Sequence, residues 1–207
     1  MAHTHRQPQI SARIYWLRDQ SLDQAPNESK KFDKTPEGDE TITPEELFRR
    51  TGVLYRKVQL TISAEEQEET LKRSVPNLDQ YDYRDIIDVS PKGLGDKFDA
   101  LMRMFYDEHI HGDDEVRFVL DGNGYWDVRD VQTDQWIRLV FEKGDFINIP
   151  KGAYHRFSLD SNQYMKCMRM FAGSPVWTAF YRNKDGDTHP ARKQYVEQVL
   201  RRQQTTA

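Results

Sequence analysis

Mainly β with flanking helices is the fold class this sequence predicts, in the form of a small barrel or double-sheet jelly roll. Three observations carry the prediction. Six short runs rich in Val, Ile, Phe, Tyr and Trp follow one another between Val116 and Phe171. Turn residues separate them at close, regular intervals. Helix signals lie ahead of the first run, and one more follows the last.

Taken in order, Ile14 to Leu17 reads as a short strand, and the Asp/Glu/Lys/Pro/Gln-rich stretch from Asp19 to about Ile42 as a long acidic surface loop. Thr43 as N-cap, Pro44 at the first helical position, Glu46 three residues after the cap and Gly52 past the end predict one short helix. Val53 to Leu60 alternates as a strand, and Ser63 with Glu66 caps a second helix that ends by Pro76. A third helical stretch is expected around Tyr83 to Val89 and a fourth from about Leu94 to Phe105. The β runs are Val116–Leu120, Tyr125–Asp130, Trp136–Phe141, Phe146–Ile149, His155–Leu159 and Tyr164–Phe171, and turns fall at residues 121–124, 133–134, 143–145, 150–152 and 160–162. Tyr195, Val196, Val199 and Leu200 at helical spacing predict a final helix over Pro190 to Arg202. The 207 residues suit one domain, with 1–104 packed on a core of 105–182 and the last helix in 183–207.

A net charge of −4 provides no positive field for nucleic acid or an acidic membrane. The lone cysteine, Cys167, excludes an internal disulfide and a cysteine-rich zinc site, and fits a reducing compartment. No apolar signal region or membrane-length apolar run is visible. The expectation is a soluble monomer of the cytoplasm, with nuclear entry left open.

The chemistry is concentrated in histidines. In the segment HIHGDDE, His109 and His111 lie two apart and share a strand face, and a bend over Gly112 to Asp114 returns Glu115 beside them. His155 follows in the pattern Gly144-x5-Pro150-x-Gly152-x2-His155, which ends a strand, turns, and opens the next with an imidazole. These two segments resemble the paired motifs of the cupins, a family of double-stranded β-helix barrels, although Arg103 and Leu159 stand where those motifs usually have Gly and Asn. Three imidazoles and one carboxylate suit a divalent ion from the Mn-to-Zn series, and a six-coordinate ion would keep two corners open. His3 and His5 read as part of a solvated tail, His189 as solvated, and Asp107 and Glu108 as facing water.

The runs FYDEHIHGDDEVRFVLDGNGYWDVRD, WIRLVFEKGDFINIPKGAYHRFSLD and MRMFAGSPVWTAFYR resemble the acireductone dioxygenases of methionine salvage, in their eukaryotic branch, over Phe105 to Arg182. The resemblance implies cleavage of acireductone, 1,2-dihydroxy-5-(methylsulfanyl)pent-1-en-3-one, by O2 at one divalent ion, Fe(II) or Ni(II). With Fe(II) it implies 4-methylsulfanyl-2-oxobutanoate and formate; with Ni(II), 3-methylsulfanylpropanoate, formate and carbon monoxide. It assigns His109, His111, Glu115 and His155 to the metal. Arg117 matches an arginine beside the ligands, and Phe105, Phe157, Arg169 and Trp177 match pocket positions. Arg117 is the favoured cation for an enediolate dianion, with Arg169 second, and pairing of Arg117 to Glu115 or Asp113 is the competing role. Two other functions stay open at this point: another cupin oxygenase or isomerase with the same ligands, and a metal-stabilised interaction module.

Overall fold

The computed structural model describes residues 14–17, 40–61 and 63–205. Two antiparallel sheets face each other across an apolar interior. The strands are β1 (Ile14–Leu17), β2 (Leu54–Lys57), β3 (Tyr83–Val89), β4 (His109–Ile110), β5 (Glu115–Gly122), β6 (Gly124–Arg129), β7 (Trp136–Phe141), β8 (Asp145–Ile149), β9 (His155–Leu159), β10 (Met165–Phe171) and β11 (Phe180–Tyr181). One sheet has the order β1-β7-β6-β9-β4-β11 and the other β2-β8-β5-β10-β3. This is the double-sheet jelly roll that the strand runs predict, and all six runs appear in it.

Alternation along the strands sorts the side chains. Val119, Trp126, Val128, Ile137, Leu139, Phe141, Ile147 and Phe157 meet in the cluster between the sheets. Val116, Phe118, Phe146 and Met170 point out of the five-stranded sheet, where Leu71 of α2 (Ala64–Ser74), Val75 at its C-cap, and Leu78 and Tyr81 beyond it cover them. The opposite sheet is closed differently. On its outer face Asp127 accepts from both Arg138 (2.7 and 2.8 Å) and Arg156 (2.8 Å), all three buried. Arg156 also lies over the rings of Tyr106 and Trp136.

Both caps read from the sequence form. Thr43 accepts from the Glu46 N–H at 3.1 Å to open α1 (Pro44–Thr51), whose end at Gly52 has φ +71°. Ser63 does the same for α2 through Glu66 at 3.1 Å. The C-terminal helix α5 (Pro190–Thr205) packs as expected, with Tyr195 and Val199 buried and the Tyr195 hydroxyl donating to the Thr51 carbonyl at 2.9 Å. The expected strand from Val53 is shorter, ending at Lys57. The helix expected from Leu94 is broken into α3 (Pro91–Leu94), one 3-10 turn and α4 (Phe98–Tyr106). The acidic stretch expected as a loop lies mostly outside the described residues, as do His3 and His5.

One prediction is wrong in kind. Tyr83 to Val89 is a strand, paired in full register with β10 from Met165↔Val89 to Phe171↔Tyr83. Tyr83, Ile86 and Ile87 mimic helical spacing, and the strand alternation is hidden because the inward position 85 is a charge. Asp85 takes two hydrogen bonds from Arg169, at 2.7 and 2.6 Å, and so is satisfied where an apolar residue would be expected. Facing the other way, Arg84 pairs with Glu68 of α2.

Candidate metal centre

The two motifs meet at one end of the interior. His109 on β4 and His155 on β9 are direct register partners in the six-stranded sheet, and Glu115 reaches in from the start of β5 in the other sheet. His111 stands just beyond β4. The bend over residues 112–114 returns Glu115 as expected, so that its Oε2 lies 3.4 Å from His111 Nε2 and 3.6 Å from His155 Nε2. The ring centroids of the three histidines lie 4.5 to 5.4 Å apart.

Main-chain bonds hold the motifs together. The Gly152 N–H donates to the His111 carbonyl at 3.0 Å, and the Lys151 N–H to Asp114 Oδ1 at 3.0 Å. Gly152 must be glycine: φ is +80°, and a Cβ would lie 2.3 Å from the Ala191 carbonyl oxygen. The other Asp114 oxygen accepts from the Tyr81 hydroxyl at 2.9 Å, which in turn accepts from Asn148 at 2.7 Å. Asp114 and Tyr81 were not legible as site residues, because their role is set by long-range contacts.

The donor set fits a divalent cation. Each histidine Nδ1 faces a carbonyl: that of Asp107 for His109 (2.6 Å), Thr178 for His111 (2.9 Å) and Ala153 for His155 (2.9 Å). A carbonyl only accepts, so Nδ1 carries the proton and Nε2 presents its lone pair inward. The buried Nε2 of His155 has no hydrogen-bond partner, which is the signature of an atom placed for a ligand other than protein. Among the described residues the three histidines form the group able to hold an ion, and Glu115 adds the oxygen beside them. Burial, reinforced by the two neighbouring imidazoles, pushes His109 down to about 3. Burial would also raise Glu115, yet the Arg117 guanidinium and the imidazoles outweigh it and hold the carboxyl well below its usual range. For His111, burial is outweighed by Glu115, and the ring is raised above its ordinary value.

Arg117 pairs with Glu115, its Nη2 lying 3.3 Å from Glu115 Oε2. Arg169 is neutralised by Asp85 and stacks under Trp177 at 3.9 Å. A cavity of about 250 Å³ opens onto the cluster, and every sequence-named pocket residue lines it: Phe105, Phe157, Arg169 and Trp177, with Arg117. Phe105 and Phe157 meet edge to face, centroids 6.2 Å apart. Cys167 is buried in the same wall, and burial pushes its thiol up to about 11. Trp126, Ile87 and Val89 line the cavity without having been singled out in the sequence. Two expectations change. Glu108 does not face water but accepts from Arg129 and Arg182. His189 is half-buried against Phe180, centroids 4.2 Å apart. Met104 is exposed and borders the cavity.

Fold and site together define a cupin-type jelly roll with a three-histidine, one-carboxylate cluster between its sheets. A sequence model described as the ARD/ARD' family matches residues 13–179, and the chain belongs to that family. It is 46% identical over 152 residues to an acireductone dioxygenase of Gallus gallus, covering 73% of this chain and 81% of that protein. With an acireductone dioxygenase of Macaca mulatta it shares 42% identity over 176 residues, or 85% of this chain and 93% of the relative. Among solved structures it resembles an acireductone dioxygenase from Bacillus anthracis with a cadmium ion in its active centre. The TM-score is 0.58 at 22% identity, over 83% of this chain and 98% of that one, a likeness of fold.

Proposed function

We propose that this chain is an acireductone dioxygenase that holds one divalent ion, Fe(II) or Ni(II), through His109, His111, Glu115 and His155. The observation that carries this reading is the convergence of three inward-facing Nε2 atoms and one carboxylate at the floor of a cavity, in a chain of the ARD/ARD' family. A bound divalent ion supplies Lewis-acid activation of chelating oxygens and open corners for small ligands.

The remaining work falls to the protein. Arg117 is balanced by Glu115 and Arg169 by Asp85, so the double charge of an ion would be left for a dianionic enediolate to neutralise. Arg117 lies beside the ligands and favours the deprotonated enediol over the neutral one. Phe105 and Phe157 offer an apolar wall to the methylsulfanyl side chain, and Trp177 over Arg169 borders the opening. Glu108 is already engaged by two arginines and takes no part as a base. In this reading the Fe(II) form yields 4-methylsulfanyl-2-oxobutanoate and formate, and the Ni(II) form 3-methylsulfanylpropanoate, formate and carbon monoxide. The protein acts as a monomer of the cytoplasm, with nuclear entry open. Among the described residues no helix is long and apolar enough to cross a membrane.

The test is to mix synthetic acireductone with metal-loaded protein anaerobically, admit O2, and follow loss of the enediol absorbance together with the products. Glu115→Ala should abolish turnover. Full activity in that variant would refute the ligand assignment, and turnover of other enediols with none of acireductone would point to a different cupin oxygenase.

A further inference from the structure

The two oxygens of Glu115 have different partners. Oε2 faces the imidazoles and Arg117, whereas Oε1 accepts a hydrogen bond from the indole Nε1–H of Trp126 at 2.9 Å. Trp126 comes from β6 in the six-stranded sheet and Glu115 from β5 in the five-stranded one, so this bond crosses the interior. Both side chains are buried, at 3% and 8% exposure.

We propose that Trp126 is a positioning residue of the metal centre: its indole N–H retains Oε1 and leaves Glu115 to meet the ion through Oε2 alone. The inference rests on the proposed metal site and adds a residue to it. Indole nitrogen is a donor with no acceptor capacity, so Trp126 can anchor a carboxylate oxygen without itself competing for the ion. Its ring is fixed on two sides, by Phe141 (centroids 4.7 Å apart, 75°) and by Phe157 (4.5 Å, 50°). A donor held this firmly restricts rotation of the carboxylate about its own bond. Without the N–H, Oε1 is a buried charged oxygen lacking its donor, free to turn toward the ion as a second ligand atom or toward Arg117. The same tryptophan touches the aromatic wall at Phe157, so the group that orients the ligand also bounds the cavity.

The experiment compares the parent with Trp126→Phe and with a protein carrying 3-benzothienylalanine at 126, in which sulfur replaces the N–H at almost unchanged shape. Ile137→Val, which disturbs the interior packing and keeps both the donor and the rings that hold it, is the control. Ni(II) dissociation constants are measured by competition with a chromophoric chelator, Co(II)-loaded protein gives the visible ligand-field spectrum, and kcat and KM for acireductone are determined separately. Loss of the donor is expected to weaken Ni(II) binding about 10- to 100-fold, to change the Co(II) spectrum, and to lower kcat with KM little moved. The control should keep the parent's affinity and spectrum. If Trp126→Phe fails to fold, the benzothienyl protein decides. Parent-like affinity and spectrum in the benzothienyl protein, while Glu115→Ala loses the ion, would overturn the role of Trp126 and leave the metal site standing. A parent that takes up no divalent ion would overturn both.

Discussion

Replacing Gly152 by alanine tests how the two ligand-bearing turns are joined. The left-handed backbone there costs an alanine roughly 1–2 kcal/mol. The new Cβ would also stand 2.3 Å from the Ala191 carbonyl oxygen and 2.6 Å from its carbon, both main chain, so either the 150–153 turn or the start of α5 must move. Movement of the turn breaks the Gly152 N–H bond to the His111 carbonyl, worth roughly 0.5–1.5 kcal/mol. The sum is about 1.5–3.5 kcal/mol, or a fall in Tm of about 3–14 °C for a chain of this size. Thermal unfolding followed by circular dichroism, with Ni(II) titration on the same samples, reads both effects, and Ni(II) affinity should fall because His111 shifts with its carbonyl. Gly173→Ala is the comparison: φ is +75°, but nothing lies within 4 Å of its Cβ, so only the backbone cost applies. Equal losses in the two variants, or a Gly152→Ala protein with the parent's Tm and affinity, would refute the close-approach reasoning.

Asp127→Asn removes the charge that two buried guanidiniums share and should cost about 3–5 kcal/mol in urea unfolding. The pH dependence has a definite sign. Burial would raise the Asp127 carboxyl, but Arg138 and then Arg156 outweigh it and hold it below its ordinary value. Its contribution is therefore present above the unfolded carboxylate value and is lost as pH falls through the lower folded one, a slope that Asp127→Asn should lack. Saturating Ni(II) at 100 times its dissociation constant should stabilise the parent by about 2.7 kcal/mol, and chelator should reverse this, with neither effect in His155→Ala. Phe157→Ala should raise KM for acireductone more than for an analogue lacking the methylsulfanyl group, and equal effects would remove Phe157 from the side-chain wall. Cys167 should resist iodoacetamide in the native protein at pH 8, since its thiol is buried and pushed up to about 11, and react once the chain is unfolded.

The strands of the second half and the four proposed ligands were legible because their signals are local. Two-residue spacing puts His109 and His111 on one face, and the turn at Pro150–Gly152 delivers His155. What stayed hidden depends on partners distant in sequence. Tyr83 to Val89 could not be recognised as a strand until Asp85 was seen to satisfy Arg169, 84 residues away. Trp126 looked like any core aromatic until its N–H was found on Glu115, and Glu108 looked solvated until Arg129 and Arg182 were placed around it. Spacing names the groups that converge; it does not name those that hold them.

The bond from His111 Nδ1 to the Thr178 carbonyl has a mechanical consequence. Thr178 adjoins Trp177, in the exposed run between β10 and β11 that borders the cavity opening. A molecule that displaced Trp177 on its way in would therefore tug on the peptide that sets the tilt of an imidazole, and an ion held at the proposed site would stiffen the doorway in return.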